Sequence, residues 1–185
     1  MINRCKVVFL DRDGTINKDK NYIYKKEEFE FIDGSIDALK LLIQHDFNLI
    51  IITNQSGIAR GFYTEDDYNK LNDWMLSELK SNNINILDTY YCPHFPNGLI
   101  KKYALTCNCR KPKTELFKKA IKKYSVDEKH SWAIGDKSRD ISICYETNIH
   151  GIQIYSDIEE KNSNTMKIKG GLLEASKIIV RDEIK

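Results

Sequence analysis

The chain has 185 residues, which suits one folded domain over residues 1–185 with a core of its own. Lys and Arg (29) nearly balance Asp and Glu (27), so the composition indicates neither a nucleic-acid-binding arm nor an acidic tail. No apolar run reaches the length of a membrane span and no signal peptide is recognisable. We therefore expect a cytoplasmic protein without nucleic-acid or membrane partners. We also expect a monomer, although the composition does not determine the oligomeric state.

Two aspartates follow the first predicted strand. The apolar run at residues 7–10 predicts a buried strand, and the segment DRDGT follows it at residues 11–15. Alternate side chains of a strand share a face, so Asp11 and Asp13 are expected to point the same way. Such a pair can bind a divalent cation, with one carboxylate as nucleophile and the other transferring a proton. A calcium-binding EF-hand is excluded because its glycine and glutamate are misplaced, which leaves an acidic turn without chemistry as the alternative.

Residues 16–91 are predicted to contain a long loop, two helices and two strands, the first of which ends in polar residues. Residues 16–31 form a long polar loop that is equally compatible with a functional segment and with a surface flap. A helix is expected from residue 35, and a buried strand at 48–52 ends in Thr53, whose hydroxyl and following N–H groups could receive an anion. Thr64 is a plausible N-cap of the second helix. A third strand is predicted over 84–91.

Four soft metal ligands follow that strand within one connection, residues 92–109. Cys92, His94, Cys107 and Cys109 offer three thiolates and an imidazole, the donor set of a closed tetrahedral zinc site. The alternative is a group of unrelated surface cysteines. Cys5 and Cys144 are isolated in the sequence and are expected to be core thiols.

Two positively charged residues follow this connection and precede a helix predicted over 114–124. Arg110 could bind oxygens bidentately and Lys111 offers a point charge for phosphate, although two solvated charges are the simpler alternative.

The last third of the chain completes an alternating pattern. A strand is predicted at 131–135, and an acidic cluster that begins with Asp136 follows it. A helix to residue 147 and a strand at 151–154 come next. Residues 156–169 are expected to be polar and mobile, and a final helix is predicted after them. Strands that alternate with helices predict a Rossmann-like, doubly wound α/β fold with a mostly parallel sheet. Asp11, Thr53 and Asp136 then lie at the carboxyl edge of the sheet, where ligands bind.

Four segments together resemble the motifs of the haloacid dehalogenase-like phosphatases: DRDGT at 11–15, TNQSG at 53–57, RKP at 110–112 and GDKSRD at 135–140. The cysteine-containing connection is similar to that of a small-molecule branch of this family. The resemblance implies the family's α/β fold, no large cap domain and a zinc-binding loop.

The resemblance also implies a role for each matching position. Asp11 would be the nucleophile and Asp13 the general acid and base, while Thr53 and Lys111 would neutralise the transferring phosphoryl group. Asp11, the main-chain carbonyl of Asp13, and Asp136 would bind Mg²⁺, and the four cysteine and histidine ligands would bind Zn²⁺. The substrate-binding residues would be Asp19, Lys20, Asn21, Tyr22, Asn54, Gln55, Ser56, Arg110 and Lys137.

The implied activity is Mg²⁺-dependent hydrolysis of a sugar phosphate through an aspartyl-phosphate. The expected substrate is a heptose 1,7-bisphosphate that loses its 7-phosphate in the supply of nucleotide-activated heptose for surface polysaccharide. Histidinol phosphate is the alternative substrate, and a non-catalytic, zinc-stabilised binding module is a hypothesis of a different class.

Overall fold

A seven-stranded sheet runs through the computed structural model, which describes residues 4–183. Its strands are β1 Val7–Leu10, β2 Asn48–Asn54, β3 Ile86–Cys92, β4 Trp132–Gly135, β5 His150–Gln153, β6 Glu160–Lys161 and β7 Thr165–Lys167. The helices are α1 Ser35–Gln44, α2 Gly57–Arg60, α3 Glu65–Ser81, α4 Glu115–Tyr124 and α5 Leu172–Glu183. Three 3-10 segments lie at Lys26–Glu28, Glu128–His130 and Ser138–Tyr145.

The strand order is β3-β2-β1-β4-β5-β7-β6, and only the β6–β7 pair is antiparallel. The predicted Rossmann-like α/β fold is thereby confirmed. Strands β2 and β3 lie on one side of β1, and the strands from β4 onwards lie on its other side. The reversal between β1 and β4 opens a crevice at the carboxyl ends of these two strands, the position where open α/β sheets bind ligands.

The side-chain period of the strands divides the core into two layers. In β1, Val8 and Leu10 pack with buried residues of α1, α3 and α5 on one face of the sheet. Val7 and Phe9 face the opposite layer, where the ring of Phe117 in α4 meets that of Phe9 edge to face at 5.4 Å. With both faces covered, β1 is apolar at every position, and its first polar side chain, Asp11, comes where the strand ends.

The loop at residues 16–31 is anchored rather than detached. Ile16, Ile23 and Phe29 are buried in the larger core layer, and Asn17 bridges to Phe31. This anchoring leaves the polar residues between Ile16 and Ile23 at the carboxyl edge of the sheet.

One local expectation was wrong, and a second was correct about a helix but not about its regularity. Residues 156–169 were expected to be a mobile segment, but they contain β6 and β7, and β7 extends the sheet beside β5. The helix expected after the fourth strand is a 3-10 segment, Ser138–Tyr145, with a non-helical residue at Ile141. The predicted N-cap at Thr64 is confirmed, because its hydroxyl accepts from the N–H of Asp67 in a capping box.

Within residues 4–183, none of the helices has the length and apolar character that crossing a bilayer requires.

Candidate active site

The carboxyl edge of the sheet forms a cavity of about 220 Å³. The ends of β1 and β2, the loop at 16–31, α2 and the segment after the cysteine connection all contribute to it. The lining residues are Asp11, Asp13, Asp19, Asn21, Tyr22, Thr53, Asn54, Gln55, Ser56, Arg60, Tyr63, Arg110 and Arg139. Most of the predicted catalytic and substrate-binding residues therefore lie around one space.

A buried ammonium lies behind the wall of this cavity. Lys111 Nζ is 2.8 Å from Asp11 Oδ1 and 2.8 Å from Asp140 Oδ1, and it also donates to the carbonyl of Ile52. Burial alone would lower the pKa of Lys111, but the two carboxylates outweigh it and raise this pKa above its usual value, so the ammonium stays charged. The amide of Asn54 fixes the backbone of Lys111 by donating to its carbonyl and accepting from its N–H.

The surroundings of Asp11 shift the pKa of its carboxyl group strongly. Burial raises the pKa of Asp11 to about 7, with Lys111 acting against this rise and Asp140 adding to it. A buried carboxylate that faces both a cation and a second carboxylate is typical of a functional site.

The carboxylates of Asp11, Asp136 and Asp140 can together hold a hard cation. One oxygen of each lies within 4.8 Å of the others. The backbone makes room for this arrangement at Gly14, which has φ +86 and where a Cβ would come 2.7 Å from Asp136 Oδ2. Carboxylate oxygens in this arrangement fit Mg²⁺. Asp140 was not among the predicted ligands, although it belongs to the acidic cluster noted in the sequence.

The predicted acid and base, Asp13, is held by three side chains. Arg12 donates to its two oxygens at 2.9 and 2.8 Å, while Asn17 and Gln55 each donate at 3.0 Å. Gln55 also donates to the hydroxyl of Thr53 and accepts from the Tyr63 hydroxyl at 2.5 Å. The orientations of Asp13 and Thr53 are thus coupled through a single amide.

The four soft ligands also meet. The Sγ atoms of Cys92, Cys107 and Cys109 lie 3.1 to 3.5 Å apart, and His94 Nδ1 is 3.2 Å from Cys109 Sγ. A tetrahedral zinc with Zn–S bonds of about 2.3 Å would place its sulfurs roughly 3.8 Å apart, so a small expansion of this cluster accommodates the ion. All five cysteines are free thiols. The donor set fits Zn²⁺.

Three arginines, Arg60, Arg110 and Arg139, contribute positive charge to the cavity wall. Burial lowers the pKa of Arg110, and the nearby charges of Arg139 and Arg60 lower it further, while Cys92 and Cys107 act in the opposite direction. Guanidinium groups close enough to perturb one another favour an anion between them.

Two predicted substrate-binding residues lie elsewhere. Lys20 pairs with Glu30 at 3.0 Å on the surface, and Lys137 pairs with Asp136 at 2.9 Å beside a neighbouring groove rather than in the cavity wall. Six residues at this site were not assigned a role from the sequence: Arg12, Asn17, Arg60, Tyr63, Arg139 and Asp140. For Asp140 a signal existed, its spacing of four residues from Asp136 directly after a strand.

Comparison with known proteins gives consistent matches. Residues 6–168 match the family model described as polynucleotide kinase 3 phosphatase. The chain is 48% identical over 139 residues, 75% of its length and 76% of the relative's, to a D-glycero-alpha-D-manno-heptose-1,7-bisphosphate 7-phosphatase of Photorhabdus laumondii. It is 40% identical over 149 residues, 80% of its length and 78% of the relative's, to the D-glycero-beta-D-manno-heptose-1,7-bisphosphate 7-phosphatase of Escherichia coli K12.

A solved structure supports the same relationship. The D,D-heptose 1,7-bisphosphate phosphatase of B. bronchiseptica, in complex with magnesium and phosphate, superposes with a TM-score of 0.80 at 25% identity. The match covers 96% of this chain and 99% of that one.

Proposed function

This chain belongs to the polynucleotide kinase 3 phosphatase family, within the haloacid dehalogenase-like phosphatases, and from that premise we propose that it removes the 7-phosphate of D-glycero-D-manno-heptose 1,7-bisphosphate. It is a phosphoric monoester hydrolase. The proposal places the reaction in the cytoplasm, in the supply of nucleotide-activated heptose for surface polysaccharide, and the enzyme as a monomer.

The observation that carries the choice of substrate is the row of three arginines in the same cavity as the carboxylate of Asp11. A phosphate beside Asp11 and Lys111 leaves Arg60 and Arg110 available for a second anionic group of the substrate, whereas Arg139 already lies 3.8 Å from Asp140 Oδ1. A heptose bisphosphate supplies one. Histidinol phosphate instead has one phosphate only: its amine is on the carbon next to the phosphorylated one and its far end is an imidazole, so it offers these guanidinium groups no second anion.

The chain's own groups supply each step of the proposed chemistry. Lys111 and the hydroxyl of Thr53 receive the non-bridging phosphate oxygens and stabilise the charge that develops on them. Asp11 attacks phosphorus, so that the bond between phosphorus and the sugar oxygen breaks and an aspartyl-phosphate forms. Asp13 gives a proton to the departing sugar oxygen and then takes one from the water that hydrolyses this intermediate.

Both metals have a place in this proposal. Mg²⁺ held by Asp11, Asp136 and the main-chain carbonyl of Asp13, with Asp140 nearby, would offset the repulsion between the phosphate and the carboxylates. Zn²⁺ at the four soft ligands would hold residues 92–109, and with them the following Arg110 and Lys111, before the substrate arrives.

A non-catalytic binding module is less well supported than an enzyme. The proposed nucleophile and the proposed acid line one cavity, and Lys111, Asp136 and Asp140 lie around the carboxylate of Asp11. A module that only binds has no need of this complete set.

The test compares kcat/KM for D-glycero-D-manno-heptose 1,7-bisphosphate and for histidinol phosphate, in the same Mg²⁺ buffer, with phosphorus NMR to identify the phosphate removed. We expect kcat/KM for the bisphosphate to be higher by roughly 100-fold or more, because only the bisphosphate has a second phosphate that the cavity arginines can bind. We expect the 7-phosphate to be the one that is removed. Preference for histidinol phosphate would refute the proposal.

A further inference from the structure

Two of the cavity arginines lie against the ring of Phe95. The guanidinium carbon of Arg60 is 3.8 Å from the centroid of the Phe95 ring, and that of Arg110 is 5.6 Å from it. Contacts of this kind between a guanidinium and a ring face are attractive and restrict the orientation of a long, flexible side chain. We call these three residues, Arg60, Phe95 and Arg110, the arginine shelf.

The backbone of the cysteine connection is fixed against α2, the helix that ends at Arg60. The N–H of Ile100 donates to the carbonyl of Ala59 at 2.9 Å. At Gly98, a Cβ would come 2.6 Å from that same carbonyl oxygen, so the two segments approach as closely as only glycine permits. The two arginines of the shelf, which are far apart in sequence, are thereby held in a fixed spatial relationship.

The shelf lacks acidic partners among residues 4–183: the recorded ion pairs include neither Arg60 nor Arg110. Arg60 Nε is buried and has no hydrogen-bond partner in that part of the chain. Arg110 donates only weakly, at 3.4 Å, to the carbonyl of His94. Two cations kept together without a counter-charge and with a donor unfilled form a site for an anion.

We propose that Arg60 binds the phosphate of the substrate that is not hydrolysed, and that Phe95 is a positioning residue that holds Arg60 and Arg110 in register for it. This inference rests on the proposed function and deepens it. It assigns the discrimination between a bisphosphate and a monophosphate to the shelf, whereas hydrolysis itself depends on Asp11, Asp13 and Lys111.

The experiment measures the ratio of kcat/KM for the heptose bisphosphate to kcat/KM for p-nitrophenyl phosphate, which has no second anionic group. We expect this ratio to fall at least about tenfold in Arg60→Gln and in Phe95→Leu, mainly through a higher KM for the bisphosphate. Phe95→Tyr keeps a ring face and should retain the ratio of the unsubstituted enzyme. Lys101→Gln removes the same charge from an exposed residue of the cysteine connection outside the cavity and should also retain it.

Three results would overturn the inference. An unchanged ratio in both Arg60→Gln and Phe95→Leu would show that the shelf does not discriminate between the substrates. An equal loss on both substrates, with lower zinc content or a lower Tm, would assign Phe95 a structural role alone. If the unsubstituted enzyme hydrolyses the aryl phosphate but not the bisphosphate, the proposed function itself fails, and the inference fails with it.

Discussion

Lys111 Nζ lies 2.8 Å from Asp11 Oδ1, although 100 residues separate the two in sequence. The ammonium also contacts Asp140, so one buried cation connects the strand end of β1 with the segment after β4. Both side chains are buried, and burial removes the hydration that stabilises a charged carboxylate and a charged ammonium in water. A buried ion pair of this kind contributes little net stability, and strongly perturbed carboxylates cluster at functional sites.

We predict that Asp140→Asn lowers kcat by roughly 10- to 100-fold with little change in KM, because Lys111 loses one of the two carboxylates that orient it. The free energy of unfolding should fall by roughly 1–3 kcal/mol, since a buried ion pair is weakened. Steady-state kinetics and urea unfolding measure the two effects.

The matched control for this prediction is Glu146→Gln, which removes the same charge from an exposed ion pair with Lys118. It should change stability by about 0.5 kcal/mol or less and leave kcat unaltered. If Asp140→Asn behaves like this control, then Asp140 has no part in positioning Lys111.

We predict that Gly14→Ala weakens Mg²⁺ binding by roughly tenfold, equivalent to about 1.4 kcal/mol. The added Cβ would lie 2.7 Å from Asp136 Oδ2 and would displace a candidate ligand. Calorimetric titration with MgCl₂ gives the dissociation constant.

Gly34→Ala separates this effect from backbone strain. Gly34 has a similar φ of +80, but a Cβ there would meet only Leu173, at 3.4 Å. This variant should lose stability and keep its Mg²⁺ affinity. Equal Mg²⁺ affinities in the two variants would argue against a metal site that includes Asp136.

Much of this architecture could be predicted because its signals are local. The apolar runs of β1, β2 and β4 are followed immediately by Asp11, Thr53 and Asp136, and that alternation indicates both the fold and the edge where a site forms. The family suggested by the four motifs is confirmed by the match over residues 6–168.

The parts that the sequence could not predict depend on tertiary contacts. Strand β7 is only three residues long and has one apolar residue, Met166, and it forms because the edge of β5 is available for pairing. An arginine before a glycine at the end of a short helix has the sequence pattern of an ordinary helix C-terminus, so nothing local distinguished Arg60. The role proposed for Arg60 depends on tertiary contacts: the cavity that it lines, its Nε, which is unpartnered within the described part of the chain, and its distance to Phe95.

We predict that Cys107→Ser lowers the zinc content per molecule and lowers Tm before it affects the chemical step, because a closed metal site stabilises the segment that carries it. Metal analysis and thermal unfolding measure both effects. Cys5→Ser is the control, since Cys5 lies outside the cluster and a serine can make the same hydrogen bond to the Tyr124 carbonyl. A Cys107→Ser enzyme that lacks zinc but keeps full activity and Tm would disprove the structural role of the site.

We predict that Tyr63→Phe lowers kcat by roughly tenfold, because Gln55 loses the hydroxyl that orients it toward Asp13 and Thr53. The free energy of unfolding should fall by about 1 kcal/mol. Tyr68→Phe is the control, because the Tyr68 hydroxyl is buried nearby and has no hydrogen-bond partner among the described residues. Equal kcat values for the two variants would exclude a positioning role for Tyr63.

The central claim is that the Asp11 carboxylate attacks phosphorus, and the most direct test is to capture the product of that attack. The enzyme is mixed with the heptose bisphosphate and Mg²⁺, quenched in acid during turnover, and mapped by peptide mass spectrometry. We predict the added mass of one phosphoryl group on Asp11, and none in Asp11→Asn, which should remain folded and inactive. A phosphoryl group on any other residue would contradict the account.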